Sequence, residues 1–309
     1  MANIKEMIKK GEPLSGGHRA CAGCAAPVVV RQALLAAENP VVIGSATGCL
    51  EVTTTIFPFT AWNVPFIHNA FENSAATISG VETAYRALKK KGAIDKNINF
   101  IAFGGDGGTY DIGLQSLSGA MERGHRMLYI CYDNGAYMNT GIQRSSATPF
   151  GANTTTSPSG KKIPGKTQFK KDLTKIMAAH NIPYVAQASV GYWNDFVTKV
   201  QRALAIDGPS FINVLSPCRL GWGFSPEITM ELAREAVACR MWPLYEVTNG
   251  EWRITLNPKE VSSPLEWMKK QSRFRHVFQP GNERIQEATT AHVEKEWQAL
   301  LKNCGEASS

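Results

Sequence analysis

Ile101-Ala-Phe-Gly-Gly-Asp-Gly-Gly108, read together with Met127-Leu-Tyr-Ile-Cys-Tyr-Asp-Asn134, decides the fold. In each, a run with strand character (100–103 and 127–132) breaks into a turn of glycine, aspartate or asparagine. Between Gly107 and Asn134 lie 26 residues, enough for one helix and one returning strand. The two turns would then lie side by side at the sheet edge. Glycines let a backbone approach an anionic group closely, and Asp106 at a strand end can bind a hard cation. Asp133-Asn-Gly-Ala-Tyr-Met-Asn139 is a second source of oxygen ligands. Gly-Asp-Gly alone is common, and two ordinary glycine turns would fit the same letters. The pair at this spacing is the more specific signal.

The same alternation extends in both directions. Strand-like runs recur at 41–44, 184–188 and 211–215, and helical patterns at 27–37, 72–91, 112–123, 170–180 and 193–206. This order predicts an α/β fold, a parallel sheet flanked by helices on both faces. Ligands in such sheets bind beyond the carboxyl ends of the strands. Segment 145–166, rich in Ser, Thr, Gly, Pro and Lys, reads as a long surface loop. After Cys218 the pattern changes to helices at 226–239, 264–272 and 282–303 around a short strand near 252–256. The expected division is a core over 1–225 and a C-terminal extension over 226–309 packing on the core or a partner, with 305–309 frayed.

Composition narrows the class. The chain has 309 residues, 43% of them hydrophobic and 19% charged, as a globular core requires. Its formal charge of +7 gathers at Lys89–Lys91, Lys161–Lys171 and Lys269–Arg275, read as solvated faces or a dock for an acidic partner. No basic helix or aromatic-interleaved stripe points to nucleic acid. No apolar run reaches the roughly 20 residues of a membrane helix, and 1–13 lacks the apolar core of a signal peptide. A cytoplasmic location is expected, where seven cysteines favour metal ligation over disulfides.

Cys21-Ala-Gly-Cys24 can grip one metal centre from a single turn. No strand precedes it, against a thioredoxin-type site, and no second CxxC or histidine pair follows, against the usual zinc site. Cys49 and Cys218 sit in turn-like contexts after strand-like runs. Four thiolates suit a 4Fe–4S cluster, and by spacing alone cluster and zinc stay open. Cys131 reads as a buried small hydrophobe, and Cys239 and Cys304 as incidental.

Five stretches carry a resemblance to a known family: Gly17-His-Arg-Ala-Cys-Ala-Gly-Cys24, Ala46-Thr-Gly-Cys-Leu-Glu-Val52, Gly104-Gly-Asp-Gly-Gly-Thr-Tyr-Asp-Ile-Gly113, Tyr137-Met-Asn-Thr-Gly-Ile-Gln-Arg-Ser-Ser-Ala-Thr-Pro149 and Ser216-Pro-Cys218. The chain resembles the beta subunits of 2-oxoacid:ferredoxin oxidoreductases, chiefly the pyruvate (pyruvate synthase) type, and the related oxalate oxidoreductase. The resemblance implies a thiamine diphosphate-binding fold with Mg2+ and a 4Fe–4S cluster. Cys21, Cys24, Cys49 and Cys218 would hold the cluster. Asp106, Asn134 and the Ala136 carbonyl would hold magnesium. Gly48, Gly105, Gly107, Gly108, Asn134 and Thr140 would border the cofactor, with Val52 keeping it bent and Asn139 near its reacting carbon as the catalytic residue. The glutamate that activates the cofactor belongs to a partner subunit. Alpha, gamma and delta types of subunit would complete the thiamine site and carry further clusters. Pyruvate and coenzyme A would be the reactants and ferredoxin the electron acceptor.

Two positions depart from the pyruvate pattern: Ala25-Ala26, where a glycine is usual, and Gly135, where a glutamate is usual. Loss of a carboxylate beside the magnesium turn would make the site less negative and could suit a more anionic substrate such as oxalate. A neutral loop change fits equally. A non-redox thiamine-dependent decarboxylase subunit and a structural zinc-binding or electron-transfer subunit are the readings from other classes.

Overall fold

The computed structural model of the chain describes residues 4–160 and 163–305. Residues 1–3, Lys161, Lys162 and 306–309, which belong to the N-terminal stretch, the second basic run and the tail considered above, lie outside the described residues.

Among the described residues eight strands form one sheet: β1 (Val41–Ala46), β2 (Phe66–Asn69), β3 (Asn99–Gly105), β4 (Leu128–Asp133), β5 (Tyr184–Ser189), β6 (Ser210–Leu215), β7 (Leu244–Thr248) and β8 (Glu251–Leu256). Their order is β2-β1-β3-β4-β6-β5-β7-β8. The first six are parallel, and the β7–β8 hairpin continues the sheet antiparallel from β5. The C-terminal segment therefore supplies two strands to the sheet as well as helices outside it.

Alternation of side chains places successive residues on opposite faces. In β3, Ile101 and Phe103 enter one core while Phe100 and Ala102 enter the other. The first core lies under α2 (Ala26–Ala36) and α7 (Trp193–Ala205), with Val29, Val30, Phe196 and Val200 facing the strands. The second lies under α4 (Ser74–Lys90), α5 (Leu114–Glu122), α6 (Leu173–Ala178) and the end of α11 (Glu283–Asn303). Strands buried on both faces explain why the sequence shows near-continuous apolar runs. The chain opens with α1 (Ile4–Ile8), and α3 (Cys49–Thr54) follows β1 directly. A third apolar cluster joins α8 (Arg219–Trp222), α9 (Thr229–Ala238) and α10 (Pro264–Lys269) beyond the carboxyl end of the sheet, through Trp222, Leu232, Trp267 and Phe274.

Segment 145–166 departs from the surface loop expected of its composition. Ser145, Ala147, Thr148, Ala152 and Lys166 are buried. Its hydroxyls and lysine turn inward because they find partners there: Thr148 Oγ1 donates to the Gly135 carbonyl at 2.7 Å, and Lys166 Nζ to Ser146 O at 3.1 Å and Thr148 O at 2.5 Å. The second and third basic runs are likewise not wholly solvated, since Lys166 and Arg273 are buried, and Lys170 is half-buried against Asp133.

Close packing at one glycine is directly testable. A Cβ on Gly44 of β1 would sit 2.6 Å from Ile78 Cγ1 of α4. Gly44→Ala should lower stability by about 1–3 kcal/mol, the cost of overpacking, read as a lower midpoint in urea unfolding. An unchanged midpoint would show that α4 moves aside freely.

Candidate functional site

Strands β3 and β4 are neighbours, with Gly105 opposite Tyr132, so Asp106 and Asn134 leave the sheet side by side. They sit at its carboxyl end between interior strands. The Asp106 carboxylate is fully buried. It accepts from the Asn134 backbone N–H at 3.2 Å and the Ser145 hydroxyl at 2.5 Å. Burial, and next the charge of Asp133, push it up to about 8. Such a carboxyl calls for a cation.

The Asn134 amide points its oxygen at two others. That oxygen lies 2.9 Å from Asp106 Oδ1 and 2.9 Å from the Ala136 carbonyl. Alone, the amide would gain by turning over and donating to both. With a cation among the three oxygens, the placed orientation is the favourable one. Adjacent corners of an octahedron with metal–oxygen bonds of about 2.0–2.1 Å stand about 2.9 Å apart, so the spacing suits magnesium.

These oxygens open on a cleft lined by Gly48, Gly105, Asp106, Gly107, Gly108, Asn134, Ala136, Asn139 and Thr140, all singled out from the sequence. Thr47, Cys49, Phe71, Tyr132, Tyr137 and Met138 complete it. Val52 does not line it: this residue lies on the next turn of α3 and is exposed. The glycines serve the protein's own packing too. A Cβ on Gly107 would stand 2.3 Å from the Tyr137 ring, whose hydroxyl donates to the Gly107 carbonyl at 2.8 Å. After Asp106 the chain continues as a π-helical turn, Gly107–Ile112, closed by Gly113 N–H donating to Gly108 O at 2.7 Å. Such turns are wide and recur at functional sites.

Tyr132 is the lining residue that sequence reading missed most completely. Its hydroxyl is buried and has no hydrogen-bond partner among the described residues. Cβ atoms on Gly48 and Gly105 would lie 3.0 and 3.3 Å from that oxygen. Inside a strand, Tyr132 gives no sequence signal beyond its apolar character. Ser145, the second support of Asp106, was hidden in a segment read as a loop.

The four cysteines of the predicted set converge on the same end of the sheet. Cys24 feels the charge of Cys218 and Cys21, and Cys49 that of Cys218, Cys24 and Cys21. Burial above all, and then this mutual repulsion, push Cys24 up to about 11 and Cys49 up to about 12. Cys218 is raised chiefly by burial, against the pull of the Gly221 N–H, which reaches its sulfur at 3.5 Å. Among the described residues no three His, Cys, Asp or Glu side chains are placed to hold a single ion. The C-terminal segment holds the CxxC loop: Thr229 Oγ1 donates to Gly23 O at 2.8 Å. Cys131 is buried within β4, away from this group by burial and strand position.

Gly135 faces elsewhere. Its φ is +77°, and a Cβ there would lie 3.0 Å from Arg273 Nη1, not beside the oxygens of Asp106. A side chain at this position would therefore start against Arg273.

A glycine cleft ending in three convergent oxygens, at the carboxyl end of a parallel sheet, defines a protein built to hold a cation and an anionic ligand together. Residues 46–214 match the family described as thiamine pyrophosphate enzyme, C-terminal TPP binding domain. The chain is 58% identical over 285 residues to pyruvate synthase subunit PorB of Methanocaldococcus jannaschii, covering 92% of this chain and 96% of that one. It is 52% identical to pyruvate synthase subunit PorB of Thermotoga maritima, covering 97% and 95%. A structure of 2-oxoglutarate:ferredoxin oxidoreductase from Magnetococcus marinus shares the fold, with a TM-score of 0.56 at 20% identity over 73% of this chain and 81% of that one. The chain belongs to the thiamine pyrophosphate enzymes, and within them to the PorB family of 2-oxoacid:ferredoxin oxidoreductase beta subunits.

The Tyr132 hydroxyl gives a prediction with a defined sign. An unsatisfied buried hydroxyl costs about 1–3 kcal/mol, so Tyr132→Phe should leave the cofactor-free chain as stable as before or about 1 kcal/mol more so. Urea unfolding of the purified chain measures it. A loss of stability would mean that the hydroxyl has a protein partner.

Proposed function

We propose that the chain is the thiamine-bearing beta subunit of a pyruvate:ferredoxin oxidoreductase, acting in the cytoplasm with partner subunits that complete the site. One observation carries this reading. Cys49 lines the cleft where three oxygens converge, and the same Cys49 lies within electrostatic reach of Cys21, Cys24 and Cys218. Donor and acceptor sites thus share one residue. Bound thiamine diphosphate supplies the electron sink for decarboxylating a 2-oxoacid, and a bound 4Fe–4S cluster takes up electrons singly.

The chain's own residues would do the following. Asp106 Oδ1, Asn134 Oδ1 and the Ala136 carbonyl hold Mg2+, while Ser145 fixes the Asp106 carboxylate. Gly48, Gly105, Gly107, Gly108 and Thr140 border the ligand, and Asn139 lies where it can reach the reacting end. Cys21, Cys24, Cys49 and Cys218 take the cluster. Cys24, Cys49 and Cys218 are part-buried thiols that burial makes harder to ionise, so they ionise readily only around a positive core, with the exposed Cys21 closing the set. A four-iron cluster is gripped at four separate irons, so it suits thiols gathered more loosely than those round one zinc.

This assignment places the cofactor machinery in 1–225 and leaves 226–309 to brace it, as Thr229 does for the CxxC loop. Val52 stays exposed for a partner to cover. Coenzyme A accepts the acyl group and ferredoxin the electrons, through subunits of the alpha, gamma and delta types. The names carried by the relatives favour pyruvate over oxalate, and Gly135 gives oxalate no direct support because its side-chain position faces Arg273.

Asp106→Ala tests the metal assignment. It should weaken thiamine diphosphate binding by about 100-fold or more, since even outer-shell partners of a metal cost 10–100-fold, while iron content stays unchanged. Unchanged cofactor occupancy would overturn it. In the assembled complex, dye reduction should follow pyruvate with coenzyme A, and reduction by oxalate without coenzyme A would overturn the substrate.

A further inference from the structure

A second cavity of about 210 Å3 lies on the other side of the metal turn. It is far larger than the roughly 10–15 Å3 one water needs. Asn134 and Ala136 line the first cleft, whereas Gly135 between them lines this one. Its walls include Trp222, Trp242, Tyr245, Trp267, Met268 and Phe274. These come from the C-terminal segment and α8, outside the cofactor cleft.

One charged group in that wall is left without a counterpart. Arg273 is 5% exposed, lying with its guanidinium carbon 4.0 Å from the centre of the Trp222 ring. Of the five N–H donors of a guanidinium, only Nε–H has an acceptor among the described residues, Gln271 Oε1 at 2.9 Å. Nη2 is buried with no partner, and Nη1 faces the space above Gly135. The acid whose field it feels most is Asp133. That carboxylate is already engaged by Tyr110 at 2.6 Å, Lys170 at 2.6 Å and the Gly135 N–H at 3.1 Å. A buried guanidinium without an acid is costly, and its planar fork fits a carboxylate with two parallel hydrogen bonds.

We propose that this cavity is a binding site for a small organic carboxylate, whose apolar body packs among Trp222, Trp242 and Trp267 and whose carboxylate pairs with Arg273. The ligand would lie over Gly135, against the back of the turn that carries Asn134 and Ala136. Lys170, with its Nζ 3.8 Å from the Trp242 ring centre, lies on the same wall but is paired with Asp133, which leaves Arg273 as the group that holds the carboxylate. A side chain at position 135 would occupy the space the carboxylate needs.

Calorimetric titration with phenylacetate and its neutral isostere phenylacetamide tests the proposal, in the assembled complex saturated with thiamine diphosphate and Mg2+. Phenylacetate should bind saturably, one per chain, and the amide about 10-fold more weakly or worse, the margin of a charge-assisted pair. Arg273→Gln should abolish the preference for the acid. Equal binding of acid and amide, no saturable binding of the acid, or unchanged preference in Arg273→Gln would each overturn the proposal. The acid-against-amide comparison uses the unmodified chain, so it decides the question even where the variant fails to fold.

Discussion

The site depends on one buried carboxylate. Asp106 lies at the junction of two interior strands, shielded from water, held by a hydroxyl and a backbone N–H. Among the described residues no cation is paired with it directly. Burial and Asp133 raise its affinity for a proton, and the Asn134 amide oxygen turns towards both it and the Ala136 carbonyl instead of away. Each of these choices is unfavourable in a chain that stays empty, and all are reconciled by a divalent cation among the three oxygens. Local frustration of this kind is expected where structure serves a ligand rather than stability.

Asp133, next along the chain, takes the opposite solution. It is paired with Lys170 and Tyr110 and stays inside the protein's own network. Neighbouring residues at the end of β4 thus divide two regions: Asn134 and Ala136 serve the cofactor cleft, Asp133 and Gly135 the aromatic cavity behind it. The C-terminal segment supplies much of that cavity's wall and also steadies the CxxC loop through Thr229. The segment thus touches both regions although the motifs singled out in the sequence all precede it.

Much of this was legible in the letters. Strands buried on both faces declare themselves as apolar runs, and five of the six parallel strands were found that way; β2, four residues ending in His68 and Asn69, was too short and polar to register. β7 was missed because Glu246 interrupts its pattern. That glutamate is buried yet satisfied by Arg202, Arg253 and Tyr184, an arrangement visible only in three dimensions. Segment 145–166 misled for a related reason. Its composition is that of a loop, but its hydroxyls bind the interior, and Ser145 reaches Asp106 across 39 positions of sequence. Tyr132 and Arg273 carried no local signal, since what distinguishes them is a missing partner.

Anomalous diffraction from crystals grown with thiamine diphosphate and Mn2+ in place of Mg2+ tests the central claim most directly. The account predicts a manganese peak among Asp106, Asn134 and the Ala136 carbonyl, and a separate iron peak framed by Cys21, Cys24, Cys49 and Cys218. Manganese bound away from those three oxygens, or iron away from those four sulfurs, would contradict it.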